Sequence, residues 1–206
     1  FQADFSTLPV GDFPVTEISE FEREVALPGK ELAELIEKTS FAMASQDVRY
    51  YLNGILLEVS PAQINVVATD GHRLAWASCK IKTDFTDGKI IIPRKSAIEL
   101  QKLLNLYPDN VNISFNSNQL RVFSDEFTFI SKLIEGSYPD YEKVFPQGAE
   151  HKLKANKSAV QTALNRAAVL SNEKFRGVKF ILDQDNLKIC ANNPSKESAE
   201  EEVSVD

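Results

Sequence analysis

Of the 206 residues, 43% are hydrophobic and 26% charged, with 8 Gly and 9 Pro, which excludes a fibrous, low-complexity or disordered chain. The net charge of −7 speaks against a generally basic nucleic-acid binder, although −5 of it sits in 197–206, at Glu197, Glu200, Glu201, Glu202 and Asp206, leaving −2 for the rest. No apolar run approaches the roughly 18 residues that span a bilayer, and FQADFSTLP has neither the basic nor the apolar region of a signal peptide, so no membrane partner is expected.

The chain opens on an alternation, Phe1, Ala3, Phe5, that reads as the last strand of something before it, then LPVGDFP, whose Pro and Gly make a linker. Glu24 to Leu27 reads as a short strand, and Pro28-Gly29 opens a helix with Leu32, Leu35, Ile36 and Thr39 on its apolar face. Arg49 to Leu74 holds two strand-like runs ending in a polar corner, Asp70-Gly71-His72-Arg73, where Asp-Gly suits a tight hairpin turn. Ala75 to Ile81 is a third strand. KIIIPRKSAIELQKLL then repeats VALPGKELAELIEKT at an offset of 65, with Ala97, Leu100 and Leu104 in place of Leu32, Leu35 and Thr39. Strands at Val111 to Phe115, Gln119 to Phe123 and Phe127 to Leu133 follow, so a unit of strand, helix and three strands is written twice.

EGSYPDYEKVFPQG, at 135–148, is a second linker. Beyond it the plan starts a third time: Lys152 to Ala155 is strand-like, and Val160, Ala163, Leu164, Ala167 and Ala168 mark a helix at an offset of 128 from the first. Past that helix the offset falls to 123, pairing Gly54 with Gly177 and Ala68 with Ala191. A repeat of about 125 residues built from two half-repeats predicts the end of one domain at 1–16, a complete domain at 17–143 and the first half of another at 144–206. The expected class is α+β, with antiparallel sheets on one side and helices on the other, the halves related by a pseudo-twofold. The helix faces turned away from the sheets carry Lys30, Lys38, Arg94, Lys95, Lys102, Lys157 and Arg166 among Glu34, Glu37 and Glu99, a mixture that attracts phosphate only weakly.

Chemistry-bearing residues are few. Cys79 and Cys190 lie far apart in strand-like runs, outside any metal-ligand spacing, and are expected as buried thiols in a reducing compartment. An acid/base pair of Asp70 and His72 would need a nucleophile and a third, orienting group; the other histidine, His151, sits near a strand start, and no Gly-rich phosphate loop or metal cluster is present. No intrinsic catalysis and no cofactor are expected.

The stretches DFP, DVRYYLNG, ATDGHRLA, IPRKS, LIEGSYPDY and LSNEKFRGV together resemble the bacterial sliding-clamp family, the beta subunits of DNA polymerase III, along the whole chain. That resemblance implies three domains of one fold per chain and a head-to-tail homodimeric ring around double-stranded DNA, held without sequence preference. It further implies a cytoplasmic processivity factor that binds the replicative polymerase alpha subunit, the clamp loader and other polymerases or repair proteins through short apolar peptides. The positions matching the peptide pocket are Arg49, Tyr51, Leu52, Thr69, Gly71, His72, Arg73, Leu74, Pro139, Lys143 and Val144, with Leu52, Leu74, Pro139 and Val144 as an apolar floor and Lys143 standing where the family is expected to have Arg. The DNA-facing set gains Arg49 and Tyr50. Phe1, Ala3, Phe5, Val169, Leu170, Glu197, Glu200, Glu201 and Glu202 fall at the dimer edges. On the residues alone, a repeat-built interaction module that never encloses DNA stays open as the alternative.

Overall fold

The computed structural model describes residues 1–13, 21, 24–83, 87–146, 148, 152–172 and 176–206. His151, Pro14 of DFP and three residues of LSNEKFRGV lie outside them. The chain divides into two compact units, Phe1–Val144 and Phe145–Asp206.

In the first unit the strands are β1 (Val25–Pro28), β2 (Gly54–Val59), β3 (Gln63–Thr69), β4 (Leu74–Lys80), β5 (Gly88–Pro93), β6 (Asn110–Phe115), β7 (Gln119–Phe123) and β8 (Thr128–Lys132), with helices α1 (Gly29–Ser40) and α2 (Arg94–Leu106). The half-repeats do not make separate sheets. The antiparallel orders are β1-β6-β7-β8 and β4-β3-β2-β5, so each half gives its first strand to the other half's sheet. Val25 pairs with Ile113, and Ile55 with Ile92.

The helix starts are exchanged in the same way. Pro28 and Pro93 hold extended backbone just ahead of α1 and α2. The first free N–H groups of α1, at Gly29 and Lys30, bond to the carbonyls of Asp109 and Pro108, just before β6. The first of α2, at Arg94, bonds to the Asn53 carbonyl, just before β2. Gly29 is required by that approach, since a Cβ there would lie 2.7 Å from the Asp109 oxygen. The two helices pack side by side. Leu32, Leu35, Ile36, Ala97, Leu100 and Leu104 enter one core with the inner faces of both sheets, including Val25, Ile55, Leu57, Ile64, Val66, Ile90, Ile92, Val111, Ile113 and Leu120.

The near-continuous apolar runs of β2, β3 and β5 arise because both faces of that sheet are covered. On the outer face Leu56, Val67 and Ile91 form a second cluster beneath Tyr51, Ile134, Tyr138 and Tyr141.

In the second unit α3 (Lys157–Ala168) is capped by the Asn156 side chain, which accepts from the Ala159 N–H at 3.1 Å. It packs on an antiparallel sheet β11-β10-β9, with β9 Lys179–Asp183, β10 Asn186–Asn192 and β11 Ser198–Ser204. Ala163 and Ala167 are buried against Leu187, Ile189, Ala191 and Val203, while Val160 and Leu164 are half-buried. Ala168, expected on that face, is exposed. Phe180, Ile181 and Leu182 of β9 are exposed as well.

Four further expectations change. Phe1 to Phe5 form no strand and are exposed, for among the described residues no backbone pairs with them. Lys152 to Ala155 are not a strand either, although Lys154 and Asp206 exchange both backbone hydrogen bonds at 2.9 Å. The corner is a four-residue loop rather than a two-residue turn, since the ladder closes at Thr69 with Leu74. Cys79 and Cys190 are free thiols but only half-buried.

Candidate functional site

The loop Asp70–Arg73 is built from its own polar side chains. Gly71 takes φ +86°, a left-handed backbone that glycine adopts without a Cβ penalty. The Asp70 carboxylate accepts the N–H groups of His72 at 2.9 Å and Arg73 at 3.0 Å, and pairs with the Arg73 guanidinium at 3.1 Å. Burial pushes the Asp70 carboxyl up, but these bonds outweigh it and the pKa lies below the ordinary value. The Thr69 hydroxyl accepts the Gly71 N–H at 3.0 Å and donates to the Arg73 carbonyl at 2.7 Å, tying both limbs of the loop to the end of β3.

Arg49 reaches this loop from the segment before β2, ahead of a single 3₁₀ turn at Tyr50–Leu52. Its guanidinium donates to the Asp70 carbonyl at 3.2 Å and lies where a Cβ on Gly71 would stand, 2.9 Å away. Asp47 fixes it from behind with bonds of 2.8 and 3.0 Å, and those Arg49 bonds hold the Asp47 carboxyl at about 2. Arg73 lies over the Phe41 ring at 5.6 Å. Phe41, Met43, Asp47, His72, Arg73 and Arg94 line a hollow of about 470 Å³.

The linker segment Ile134–Tyr141 crosses the outer face of the sheet as a strap. Register sets two cross-strand rows beneath it: Trp76, Val67, Leu56 and Ile91, which are apolar, and Ser78, Asn65, Glu58 and Lys89, which are polar. The Ile134 N–H bonds to the Ile91 carbonyl at 2.9 Å. The Tyr141 hydroxyl donates to Glu58 at 2.7 Å, and burial together with that carboxylate pushes the Tyr141 pKa upward. Burial alone would raise the Glu58 pKa, yet the bonds from Lys89, Tyr141 and Asn65 bring it below the ordinary value. Between these ends the Tyr138 hydroxyl accepts the Thr69 N–H at 3.0 Å, and burial pushes its pKa up to about 12. Gly136, at φ +130°, rests against the Tyr50 ring.

Of the residues marked from the sequence, Arg49, Thr69, Gly71 and Arg73 meet directly, and His72 shares the hollow beside them. Tyr51 and Leu74 join the outer cluster that Tyr138 covers, and Pro139 follows Tyr138. Leu52 is 1% exposed, so it underlies the surface rather than forming an open floor; the open apolar groups of that set are the half-buried Leu74, the exposed Pro139 and Val144, which is 62% exposed. Lys143 pairs with Asp140 at 2.7 Å. Asp47, Phe41, Tyr138 and Tyr141 were not singled out by sequence. The two tyrosines that flank Pro139-Asp140 are a local signal that could have found the last two.

The expected DNA-facing cations are exposed apart from Arg94, which is half-buried and donates to the Met43 carbonyl at 3.1 Å. Acids neutralise several of them: Lys38 pairs with Glu34, Lys102 with Glu99 and Arg166 with Glu201. No ion pair is seen for Lys30, Lys95 or Lys157 among the described residues. Tyr50 is exposed and stacks edge-on against Tyr51 at 5.8 Å. At the acidic end Glu200 to Glu202 lie on β11, where Lys188 pairs with Glu200, while Glu197 bonds to Asn193 in the preceding turn. Val169 is exposed and Leu170 half-buried just past α3. Among the described residues no cluster of metal-ligating side chains occurs and no helix is long and apolar enough to cross a membrane.

The family model for the DNA polymerase III beta subunit, central domain, matches residues 26–140, and that for its C-terminal domain matches 142–206. The chain belongs to the DNA polymerase III beta subunit family. A beta sliding clamp of Pseudomonas putida is 48% identical over 202 residues, covering 98% of this chain and 55% of that protein. The crystal structure of the DNA polymerase III subunit beta from Pseudomonas aeruginosa superposes with a TM-score of 0.93 at 45% identity, over 98% of this chain and 55% of that one. A sliding clamp from Pseudomonas aeruginosa bound to griselimycin superposes with a TM-score of 0.87 at 45% identity, over 97% and 54%. The chain thus spans about half the length of the clamps it matches, and its α+β architecture is the DNA clamp fold.

Proposed function

We propose that this chain is part of a sliding clamp, a non-catalytic, cytoplasmic processivity factor whose homodimeric ring encloses duplex DNA and tethers the replicative polymerase, the clamp loader and other partners. In this reading residues 17–143 are one complete clamp domain, 1–16 the end of the domain before it and 144–206 the first half of the next. The observation that carries it is the 48% identity with a beta sliding clamp along 202 residues, spanning both compact units. The charge pattern supports retention by enclosure. A net −7, with Lys38, Lys102 and Arg166 held by neighbouring carboxylates, leaves Lys30, Lys95 and Lys157 as the helix lysines without an ion pair among the described residues, a modest set for phosphate contact, so the ring would hold DNA and still slide.

Partner peptides would lie across the Asp70–Arg73 loop and the strap, with an apolar anchor against Leu74, Pro139 and Val144 and their carbonyls or acids facing Arg49 and Arg73. Griselimycin, which the Pseudomonas aeruginosa clamp binds, is the matching probe. Helix cations Lys30, Lys38, Arg94, Lys95, Lys102, Lys157 and Arg166, with Arg49 and Tyr50, would face the duplex. The test loads the intact protein onto a nicked circular plasmid with a clamp loader. Retention through a high-salt gel filtration and release on linearising the plasmid are expected; equal loss from both forms would favour an interaction module that does not enclose DNA.

A further inference from the structure

The sheet under the strap forks. Paired residues of β2 and β3 run from Val59 with Ile64 to Leu56 with Val67 and stop there. Among the described residues, β2 continues to Gly54 paired with Pro93 of β5 alone, and β3 continues to Thr69 paired with Leu74 of β4 alone. The Thr69 N–H therefore faces a gap in the ladder, where an unmade backbone bond is costly. Tyr138 closes that gap: its hydroxyl accepts the Thr69 N–H at 3.0 Å and its ring joins the cluster of Leu56, Val67 and Leu74. The contact joins residues 69 positions apart in sequence.

Thr69 is also the hub of the corner loop. Its hydroxyl takes the Gly71 N–H and gives its proton to the Arg73 carbonyl, so a displacement of the Thr69 backbone moves both limbs of Asp70–Arg73 together. Tyr138 sits one residue before Pro139, whose ring fixes φ and passes little slack along the chain. The strap is held independently at its ends by the Ile134 N–H on Ile91 and the Tyr141 hydroxyl on Glu58. Between those ends the Tyr138 bond links it to Thr69, the corner loop's anchor.

We propose that Tyr138 is a positioning residue of the peptide surface: by holding the Thr69 backbone, its hydroxyl sets the Asp70–Arg73 loop against the strap that carries Pro139. The inference rests on the reading that corner and strap together receive a peptide ligand.

Tyr138→Phe keeps the ring and removes only the acceptor. In the intact protein it should weaken griselimycin binding about three- to tenfold by calorimetry, the range of one lost hydrogen bond. Amide hydrogen exchange at Thr69 should accelerate, while that at Val67 stays as in the parent. Ile113→Val removes a buried methylene from β6, in the other sheet and away from the loop; it should lower the melting temperature yet leave griselimycin affinity within twofold. Faster Thr69 exchange with unchanged affinity would overturn the proposal. So would weaker binding with unchanged Thr69 exchange, or equal losses of affinity in the two variants. The underlying reading has its own readout. A parent protein that does not bind griselimycin, or that binds it equally well as Leu74→Lys, would remove the peptide surface itself and the role of Tyr138 with it.

Discussion

Arg49 is fixed by two carboxylate bonds from Asp47, one carbonyl bond from Asp70 and the bare α-carbon of Gly71. The contacts with Gly71 and Asp47 each yield a prediction. Gly71→Ala puts a methyl into the guanidinium and forces an L-residue to φ +86°, so it should destabilise the protein by more than about 1 kcal/mol in urea unfolding. The Asp47 carboxyl, held at about 2 against an ordinary 3.8, favours the folded state above the ordinary value, and that contribution is lost as pH falls from about 4 through 2. Carboxyl NMR should find the Asp47 midpoint near 2, and Arg49→Gln should return it toward the ordinary aspartate range; a midpoint unmoved by that substitution would discount the clasp.

The strand β11 presents Glu200 and Glu202 with Glu201, and two of the three are balanced from within, by Lys188 and Arg166. If this edge meets a basic partner edge in the dimer, reversing Glu200 to Glu202 to Lys should raise the dimer dissociation constant of the intact protein in sedimentation experiments, most strongly at low salt. Dimerisation unchanged at every salt concentration would place the interface elsewhere. Elements of this kind were readable in advance where periodicity is local: the offset of 65 located α1 and α2, and Pro28 and Pro93 marked their starts. Exchange of β1 and β5 between sheets left no local trace, because a strand's pattern records which faces are covered and not which strand lies beside it. The apolar double face of β2 and β5, Leu56 and Ile91 included, was the one sign that something lay over the outer side. At the corner, turn chemistry pointed to His72 and Arg73 and the family resemblance to Arg49, but the bond from Tyr138 to Thr69 spans 69 positions and could not be read from spacing.

At the scale of the molecule, the 206-residue chain should bind linear duplex more weakly than about 10⁻⁶ M at physiological salt, since sequence-blind phosphate contact alone gives 10⁻⁴ to 10⁻⁶ M and the net charge here is −7. Micromolar or tighter binding by fluorescence anisotropy would contradict retention by enclosure. The exchanged strands of the first unit bear on how such a body is put together. A half made on its own, β1 to β4 with α1, would leave β2 without the neighbour that β5 supplies, β1 without β6, and the first turn of α1 without the carbonyls of Pro108 and Asp109. Its natural complement is a second copy of itself, each lending its leading strand across a twofold axis, and that pairing would fall apart on dilution. Carrying both halves on one polypeptide turns a bimolecular encounter into a closure whose effective concentration is set by the tether, so the domain stays whole at any abundance of the protein.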